Sequence, residues 1–300
     1  IRRVDCIICS FGGYWSFFPS ILGKIYKRPV LIILHGTDCA AFKEINYGNI
    51  RKKILRLVLK KSYKKATALL PVSDSLVYTE NSYYSDNIIK QGYKYFFPSI
   101  KTKHYVIHNA INLNKWKILA ENERNSKRLI TVLSEGQFTR KGGELIIQIA
   151  KKMPELEFIF VGINRPKSIK ENIKNIQFIP FTPAEKLLEL YNSSKYYLQL
   201  SIFEGFGVAL CEAMACGCIP IVANSNILPF IIGNSGYVLP KRKLSMLETL
   251  LTEAIKSDNE HLGVIARKRV ANLFTIDNSC LLYTSPSPRD RTRSRMPSSA

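Results

Sequence analysis

The sequence predicts an α/β protein that contains two parallel, doubly wound sheets. Three observations support this class: short apolar runs alternate with helical patterns, the alternation occurs twice, and the polar segment LAENERNSKR at 119–128 separates the two series. Strands that are buried on both faces appear as continuous apolar runs, and their alternation with helices is typical of parallel sheets. The length of 300 residues also suits two domains at roughly 100–200 residues each.

Each element is predicted from its own pattern. The first half contains strands at 6–10, 30–34, 68–72 and 105–107, helices at 15–26 and 54–63, and helical turns within 77–92. The second half contains strands at 129–133, 157–161, 176–179, 197–200 and 219–222, and helices at 143–152, 184–192, 208–216 and 261–273. We therefore expect one Rossmann-like domain in residues 1–120 and a second in residues 121–279.

Composition restricts the class of partner. The formal net charge of +21 favours an anionic ligand such as a nucleotide or an acidic lipid. Nucleic acid is not expected, because no nucleic-acid-binding motif accompanies the charge. No apolar run approaches the ~18 residues of a membrane span.

The cysteines indicate small buried thiols in a reducing cytoplasm rather than a metal site or disulfides. The pair Cys216 and Cys218 is too closely spaced for an ordinary zinc knuckle, and no histidine follows at finger spacing. The other cysteines before residue 280 lie in apolar stretches and are Cys6, Cys9, Cys39 and Cys211. We expect neither a metal nor another cofactor.

Polar and glycine-rich residues follow most of the predicted strands, as in SFGG, HGTD, SDS and HNA in the first half. In doubly wound sheets, ligands bind beyond the carboxyl ends of the strands. This coincidence favours an enzyme whose site lies at those ends.

The stretch SIFEGFGVALCEAMACGCIPIVAN at 201–224 places Glu204 before a Gly-Phe-Gly turn and Glu212 on the helix that follows. Free N–H groups at a helix start suit a phosphate or a sugar hydroxyl, and a carboxylate can accept hydrogen bonds from two vicinal hydroxyls. Two glutamates at such a turn indicate a nucleotide-sugar site. The alternative is that Glu204 only caps the helix and Glu212 is a solvated helix residue.

The segment EGFGVALCEAMACGCIPI resembles the E-x7-E signature of family 4 glycosyltransferases, which are retaining enzymes of the GT-B fold. Further segments agree in order: SFGGYWSFFPSILGK, LHGTD, VSDSL, VIHNAIN, RKGGELII and FIFVG. The resemblance covers residues 4–276. It implies two Rossmann-like domains facing each other across a cleft, with the family's first strand and glycine-rich loop absent before Val4.

The resemblance also implies roles for individual residues. Glu204 would contact hydroxyls of the donor sugar and Glu212 the ribose. Lys141 would meet the diphosphate, and either Arg140 or Gln137 would stand in for an arginine that the family usually has shortly before that lysine. The turn would line the sugar and the phosphates through Gly205, Phe206, Gly207 and Val208.

In the first domain, the resemblance implies that His35 faces the donor sugar across the cleft. Gly12 and Gly13 would form the turn on the acceptor side. We expect Asp38 to be structural, and the remaining histidines likewise.

The segment RKKILRLVLKKSYKK at 51–65 has two interpretations. One is a surface helix with one core face and one solvated face. The other is a helix that docks on anionic lipid headgroups, and the aromatic segment YKYFFP at 93–98 resembles those found at membrane interfaces.

The expected activity is that of a hexosyltransferase-type glycosyltransferase, cytoplasmic and peripheral on the inner face of the plasma membrane. It would move a sugar from a nucleotide-sugar to a hydroxyl of a glycan or a lipid-linked acceptor in cell-envelope synthesis. Two alternatives stay open: a GT-B nucleotide-sugar epimerase, and a non-catalytic module that binds nucleotide-sugar or anionic lipid.

The ends of the chain carry a separate expectation. CLLYTSPSPRD and SRMPSSA, within residues 280–300, resemble the two ends of a translated sequencing adapter. We expect this tail to be non-native and to add nothing to stability, and the rest to be a fragment of a longer enzyme with low activity.

Overall fold

The structure is a computed structural model that describes residues 4–120 and 123–277. The predictions made for residues 280–300 concern a part of the chain outside these described residues. Within them the chain forms two parallel sheets with helices packed on them, which confirms the predicted fold class.

The first sheet is built from four parallel strands in the order β1-β2-β3-β6. The strands of this half are β1 (Ile7–Ser10), β2 (Val30–Leu34), β3 (Ala68–Pro71), β4 (Thr79–Asn81), β5 (Ile89–Gln91) and β6 (Lys103–His104). The helices are α1 (Tyr14–Ile25), α2 (Lys53–Lys65) and α3 (Tyr93–Phe96). Helices α1 and α2 connect successive parallel strands by right-handed crossovers, so they lie side by side on one face of the sheet.

The second sheet has six parallel strands in the order β12-β11-β10-β7-β8-β9. Its strands are β7 (Asn125–Val132), β8 (Glu157–Val161), β9 (Ile176–Ile179), β10 (Ser194–Gln199), β11 (Ile219–Ala223) and β12 (Tyr237–Leu239). The helices are α4 (Gly143–Lys152), α5 (Ala184–Ser193), α6 (Val208–Ala215), α7 (Leu228–Ile232), α8 (Leu244–Lys256) and α9 (Glu260–Leu273).

The strand order reverses between β7 and β10, which are neighbours in the sheet although two strands separate them in sequence. Such a switch point opens a crevice at the carboxyl ends of the two strands, where ligands bind in doubly wound folds. The loops after β7 and β10 contain the segments RKG and EGFG, so the topology brings these two segments together.

Outside 77–92, four elements of the structure were not predicted, namely α3, α7, β12 and α8. The prediction is wrong at 77–92, where we expected helical turns. The structure instead has an antiparallel hairpin of β4 and β5. Ser, Asn and Asp side chains in the connecting loop hydrogen-bond to nearby backbone and so compete with helix formation. Tyr83 N donates to Asn81 Oδ1 at 2.7 Å, and Asn87 N donates to Ser85 Oγ at 3.2 Å.

Smaller departures concern strand bounds and one thiol. The last strand of this half, β6, ends at His104, whereas we predicted a strand at 105–107. Hydrogen bonds to the segment of β3 nevertheless continue there, because Tyr105 N donates to Leu69 O and Ile107 N donates to Pro71 O, both at 3.0 Å. Cys6 is exposed, whereas we expected a buried thiol, because it precedes the edge strand β1 and not the core. The other five predicted thiols are buried and free.

The two halves meet at the carboxyl ends of their strands. Phe206 stacks on His108 with ring centroids 5.6 Å apart, and Phe274 packs edge-on against Phe206 at 5.2 Å. Ile111 N donates to Phe274 O at 2.7 Å, so the chain after α9 returns to the end of the first half. These contacts place the residues after β3, β6 and β10 around one cleft.

Candidate active site

A cavity of about 670 Å³ lies between the two sheets at their strand ends. Eight of the eleven residues that the sequence predicted for the site line this cavity: His35, Arg140, Lys141, Glu204, Phe206, Gly207, Val208 and Glu212. They come from the loops after β2, β7 and β10 and from α6. The volume is in the range of pockets that hold small ligands, ~300–1,000 Å³.

Gly205 is the point of closest approach between the halves. A Cβ on Gly205 would lie 1.9 Å from the carbonyl oxygen of His35, so this position requires glycine. Ser73 Oγ also donates to Gly205 O across the cleft at 2.7 Å. Gly205 does not line the cavity, and its part in the geometry is to let the two strand ends touch.

Glu204 is held by three hydrogen bonds that all end on Oε2. The donors are Arg140 Nη1 at 3.1 Å, Gln199 Nε2 at 2.8 Å and Ser201 Oγ at 3.2 Å. Burial alone would raise the pKa of Glu204, but the charges of Arg140 and Lys141 and these hydrogen bonds outweigh burial and lower it. Glu204 is therefore an oriented carboxylate, with Oε1 accepting no hydrogen bond from the described part of the chain.

Arg140 is buried and makes contacts with both halves. Its Nη1 donates to Phe203 O at 2.6 Å, and its Cζ lies 4.9 Å from the centroid of the Tyr47 ring. Tyr47 comes from the loop between β2 and α2 and lines the cavity. A guanidinium against an aromatic face adds a cation–π attraction to the ion pair with Glu204.

The start of α6 opens into the cavity. Gly207 caps the helix with φ 101°, a left-handed conformation that favours glycine, and Val208 is the first helical residue. The first N–H groups of a helix have no partner within the helix, and they carry the positive end of its dipole. Phe206 is buried among aromatic rings and fixes where this turn lies.

Glu212 lies one turn into α6, on the side that lines the cavity. Burial raises the pKa of Glu212 to about 7, while Lys115, Lys141 and Trp116 oppose the rise. Lys141 interacts electrostatically with both glutamates, and its Nζ donates to Val132 O at 3.0 Å. Burial lowers the pKa of Lys141, an effect that the charges of Glu204 and Glu212 oppose.

His35 faces these groups from the first sheet. Its Nε2 lies 3.2 Å from Ser10 Oγ, and its ring packs on Phe11 at 4.2 Å between centroids. Burial lowers the pKa of His35, and the nearby Asp38 charge acts against this. The ring is therefore mostly neutral near pH 7 and can donate or accept a hydrogen bond.

Asp38 organises the backbone behind His35. Its buried carboxylate accepts from Gly12 N and Gly36 N, each at 2.8 Å, and from His35 N at 3.1 Å. These bonds fit the structural role that the sequence suggested for Asp38. Gly12 and Gly13 lie in this supporting shell and outside the lining, so their assignment to the acceptor side stays a prediction.

Eight further residues line the cavity, and of these the sequence analysis named only Gln137 individually. The other seven are Phe11, Thr37, Tyr47, Asn109, Ser134, Gly136 and Ala209. Thr37 and Asn109 fall in the strand-end segments HGTD and HNA, so their position could have been inferred. Tyr47 lies in a long loop, and only its packing on Arg140 and Phe203 places it here.

The described residues contain no group of three or more His, Cys, Asp or Glu side chains placed to hold a metal ion. No helix formed by residues 4–120 or 123–277 is both long enough and apolar enough to cross a bilayer.

Residues 114–269 match the family described as Glycosyl transferases group 1. Because the match extends over more than half of the chain, the chain belongs to this family. The family is one of transferase enzymes, and the two-sheet architecture is that of the GT-B fold.

Named relatives and a solved structure agree with this family. The chain is 28% identical over 209 residues to a probable sucrose-phosphate synthase of Thermosipho melanesiensis, covering 62% of this chain and 48% of the relative. It is 27% identical over 84 residues to O-antigen chain mannosyltransferase B of Escherichia coli, covering 28% of this chain and 22% of the relative. The chain thus spans about half the length of the first relative and less of the second.

The solved structure of Anabaena HepE in complex with UDP and glucose superposes with a TM-score of 0.70 at 15% identity. The superposition covers 98% of this chain and 79% of HepE. At this identity the likeness concerns the fold alone.

Proposed function

We propose that this protein is a retaining glycosyltransferase that moves a sugar from a nucleotide-sugar donor to a hydroxyl of an acceptor. One observation carries the proposal: a single cavity brings the oriented carboxylate of Glu204, the start of α6 and His35 together from two facing sheets. These groups match the parts of a nucleotide-sugar, which has a diphosphate between two polyhydroxyl rings. HepE, a protein of the same fold, was crystallised with UDP and glucose.

The donor would lie along the second sheet. Its diphosphate would meet the first N–H groups of α6 at Gly207 and Val208, where the helix dipole favours an anion. Lys141 lines the same cavity and would offset the negative charge that builds on the departing nucleotide. Glu212 would hold the ribose hydroxyls, and Oε1 of Glu204 would accept from hydroxyls of the transferred sugar.

Transfer would then occur on one face of the sugar. The bond between the anomeric carbon and the diphosphate oxygen breaks while the acceptor hydroxyl bonds to that carbon from the same side. The acceptor proton passes to the departing phosphate oxygen, and the nucleoside diphosphate leaves. This route needs no enzyme nucleophile, so Glu204 acts by orienting the sugar, and neutral His35 hydrogen-bonds the sugar from the opposite sheet.

The charge that a leaving diphosphate requires can come from Lys141 and the helix start. We therefore propose that transfer proceeds without a metal or another cofactor. The acceptor we propose is a glycan or a lipid-linked glycan of the cell envelope, with the reaction on the cytoplasmic side. The sequence match to an O-antigen mannosyltransferase supports this choice.

The experiment incubates the protein with UDP-, GDP- and ADP-sugars and with hydroxyl acceptors that include a sugar phosphate and a lipid-linked sugar. We expect acceptor-dependent release of nucleoside diphosphate, and an anomeric configuration in the product that equals the donor's by proton NMR. An inverted product would overturn the retaining mechanism. Donor isomers formed without any acceptor would indicate an epimerase, and donor binding with no turnover would indicate a binding module.

A further inference from the structure

The outer side of α2 carries apolar residues where a surface helix would normally be polar. Its inward stripe is Leu55, Leu59 and Tyr63, with Ser62, and all four are buried. At 3.6 residues per turn, Leu57 lies almost opposite this stripe. The side chains of Ile54 and Leu57 are 71% and 62% exposed, so the apolar residues of RKKILRLVLKKSYKK do not all face the core.

Helix α1 shows the same inversion. Its buried residues are the small Ser16, Ser20 and Gly23, which let the helix pack closely on the sheet. Several of its large residues point outward, with Trp15 78% and Phe18 67% exposed, while Phe17, Ile21 and Leu22 are partly buried. Since α1 and α2 are neighbours on one face of the sheet, their outer sides form one surface, which we call the α1–α2 face.

Positive charge surrounds these apolar residues. The exposed lysines of the two helices and their ends are Lys24, Lys27, Lys52, Lys53, Lys60, Lys61, Lys64 and Lys65. Neither residues 14–28 nor residues 49–67 contain a single Asp or Glu. The charge of the α1–α2 face is therefore not neutralised by acids within these segments.

A cavity of about 350 Å³ lies where the carboxyl ends of α1 and α2 meet. Its charged lining is cationic throughout and consists of Lys24, Lys27, Arg28, Lys64 and Lys65. A space of this size between five cationic residues suits a phosphate group. The helices α1 and α2 begin near the carboxyl ends of β1 and β2, which form the cleft, and they end at this cavity. The cavity and the candidate active site therefore lie at opposite ends of the strands of the first sheet.

We infer that the α1–α2 face docks on an anionic lipid bilayer. Amphipathic helices with Trp, Phe and Leu on the inserting side and lysines around them lie in the plane of a membrane interface. Here the apolar residues would enter the interface and the lysines would meet phosphate headgroups, one of which can occupy the cationic cavity. This inference favours the second interpretation of the basic helix, since Ile54 and Leu57 are exposed on the side that the first interpretation expects to be polar.

The orientation of docking follows from the fold. Trp15, Phe18, Ile54 and Leu57 lie in the first two turns of α1 and α2, which begin beyond the carboxyl ends of β1 and β2, whereas Ile25 is exposed at the other end of α1. These strand ends also form one wall of the candidate active site, so docking would bring the cleft close to the bilayer. The inference does not rest on the proposed function, because vesicle binding is measured with neither donor nor acceptor present.

The test is sedimentation of the full chain with vesicles of phosphatidylcholine, alone or mixed with phosphatidylglycerol. We expect binding to the anionic vesicles that weakens with salt. The double variant K60E/K64E should bind at least about 25-fold more weakly, at about fivefold for each lysine near an anionic surface. The double variant I54S/L57S should also bind more weakly, because it removes the inserting side chains.

Matched controls are available on the second half of the chain. K170E/K174E makes the same charge change on exposed lysines away from the face, and F181S removes an exposed aromatic ring. Both should bind like the parent, and circular dichroism should show every variant folded. Absence of vesicle sedimentation, equal binding to phosphatidylcholine alone, or an equal loss in the controls would overturn the inference.

A measurement on the parent protein needs no double variant. The chain has two tryptophans, of which Trp15 is exposed and Trp116 is 6% exposed. Anionic vesicles should shift the fluorescence emission to the blue, and W15F should abolish the shift. The inference would be overturned if the parent were a dimer, if the I54S/L57S variant were a monomer, and if vesicles caused no shift in the parent's fluorescence. That result would show that a second copy of the chain covers the α1–α2 face.

Discussion

The guanidinium of Arg140 lies between the carboxylate of Glu204 and the ring of Tyr47, 3.1 Å from the first and 4.9 Å from the centroid of the second. Arg140 and Glu204 lie in the two loops at the switch point of the second sheet, whereas Tyr47 belongs to the first half. The ion pair is buried, so each charge depends on the other for its stability. This relationship favours a positioning role of Arg140 toward Glu204, and its role in donor binding, which the resemblance implies, stays a prediction.

We predict that R140A slows transfer and shifts the acidic limb of the rate profile to higher pH. The charge of Arg140 helps to lower the pKa of Glu204 against the effect of burial. Without it, burial raises that pKa, so Glu204 is protonated over a wider range at low pH. The measurement is kcat/KM against pH. R140K keeps the charge and should restore most of the profile, and an unshifted limb in R140A would contradict the assignment.

We predict that E204Q chiefly lowers kcat. The lost interaction is a charged hydrogen bond at the reacting sugar, worth roughly 1.5–3 kcal/mol, which is ~10- to 150-fold in rate at about 1.4 kcal/mol per decade. Because this interaction strengthens in the transition state, KM should change less than kcat. Glu248 on α8, whose side chain is 40% exposed and pairs with Lys152, provides the control E248Q, which should behave like the parent. Equal kcat in E204Q and E248Q would reduce Glu204 to a helix cap.

The two glutamates of the switch point could be predicted from local sequence, because Glu204 and Glu212 lie around a Gly-Phe-Gly turn between a strand and a helix. Lys141 was predicted only from the resemblance to family 4 glycosyltransferases. The structure brings the three residues into one cavity, because the loops after the neighbouring parallel strands β7 and β10 lie at the same ends of the sheet. Most strand bounds agreed within one to three residues for the same reason, since buried parallel strands are short apolar runs.

The remaining features depend on contacts between distant segments, and no local pattern records them. Tyr47 reaches the site only because its loop packs on Phe203 and Arg140, from segments about 150 and 90 residues away. The ion pair of Arg140 with Glu204 was also not predictable, because the sequence does not show toward which of the two sheets the Arg140 side chain points. The hairpin at 77–92 was mispredicted since its polar side chains bond to their own backbone.

We predict that donor affinity depends on pH through Glu212. Burial raises the pKa of this group to about 7, so the carboxylate that would hold ribose is mostly protonated at pH 6 and mostly ionised at pH 8. The dissociation constant measured by calorimetry should therefore be about tenfold weaker at pH 6 than at pH 8. The variant E212Q should bind weakly at both values, while E135Q, an exposed glutamate before the cavity, should keep the parental dependence.

The same raised pKa of Glu212 predicts that E212Q, which weakens donor binding, stabilises the folded protein when no donor is bound. The folded pKa lies above the ordinary value of 4.5, so the folded state loses stability as pH rises from that value through 7. Replacing the buried carboxylate by an amide removes this loss. The melting temperature of E212Q should exceed that of the parent at pH 8 and approach it at pH 4, and an identical difference at both values would contradict the shift.

We predict that G205A impairs both stability and transfer, whereas G136A impairs neither. A methyl group on Gly205 would meet the carbonyl oxygen of His35 at 1.9 Å, and backbone on both sides of the cleft must move to admit it. A methyl group on Gly136 meets no atom within 4 Å although this glycine lines the same cavity. Comparing G205A with G136A therefore separates the effect of close contact between the two halves from the general cost of replacing a glycine near the site.

The measurements are the melting temperature and kcat/KM. In G205A we expect the melting temperature to fall by several degrees. We expect kcat/KM to fall about tenfold or more, since a displacement near 1 Å can cost ~100-fold in rate. Parental rates in G205A would show that contact between Gly205 and His35 is not needed to assemble the site.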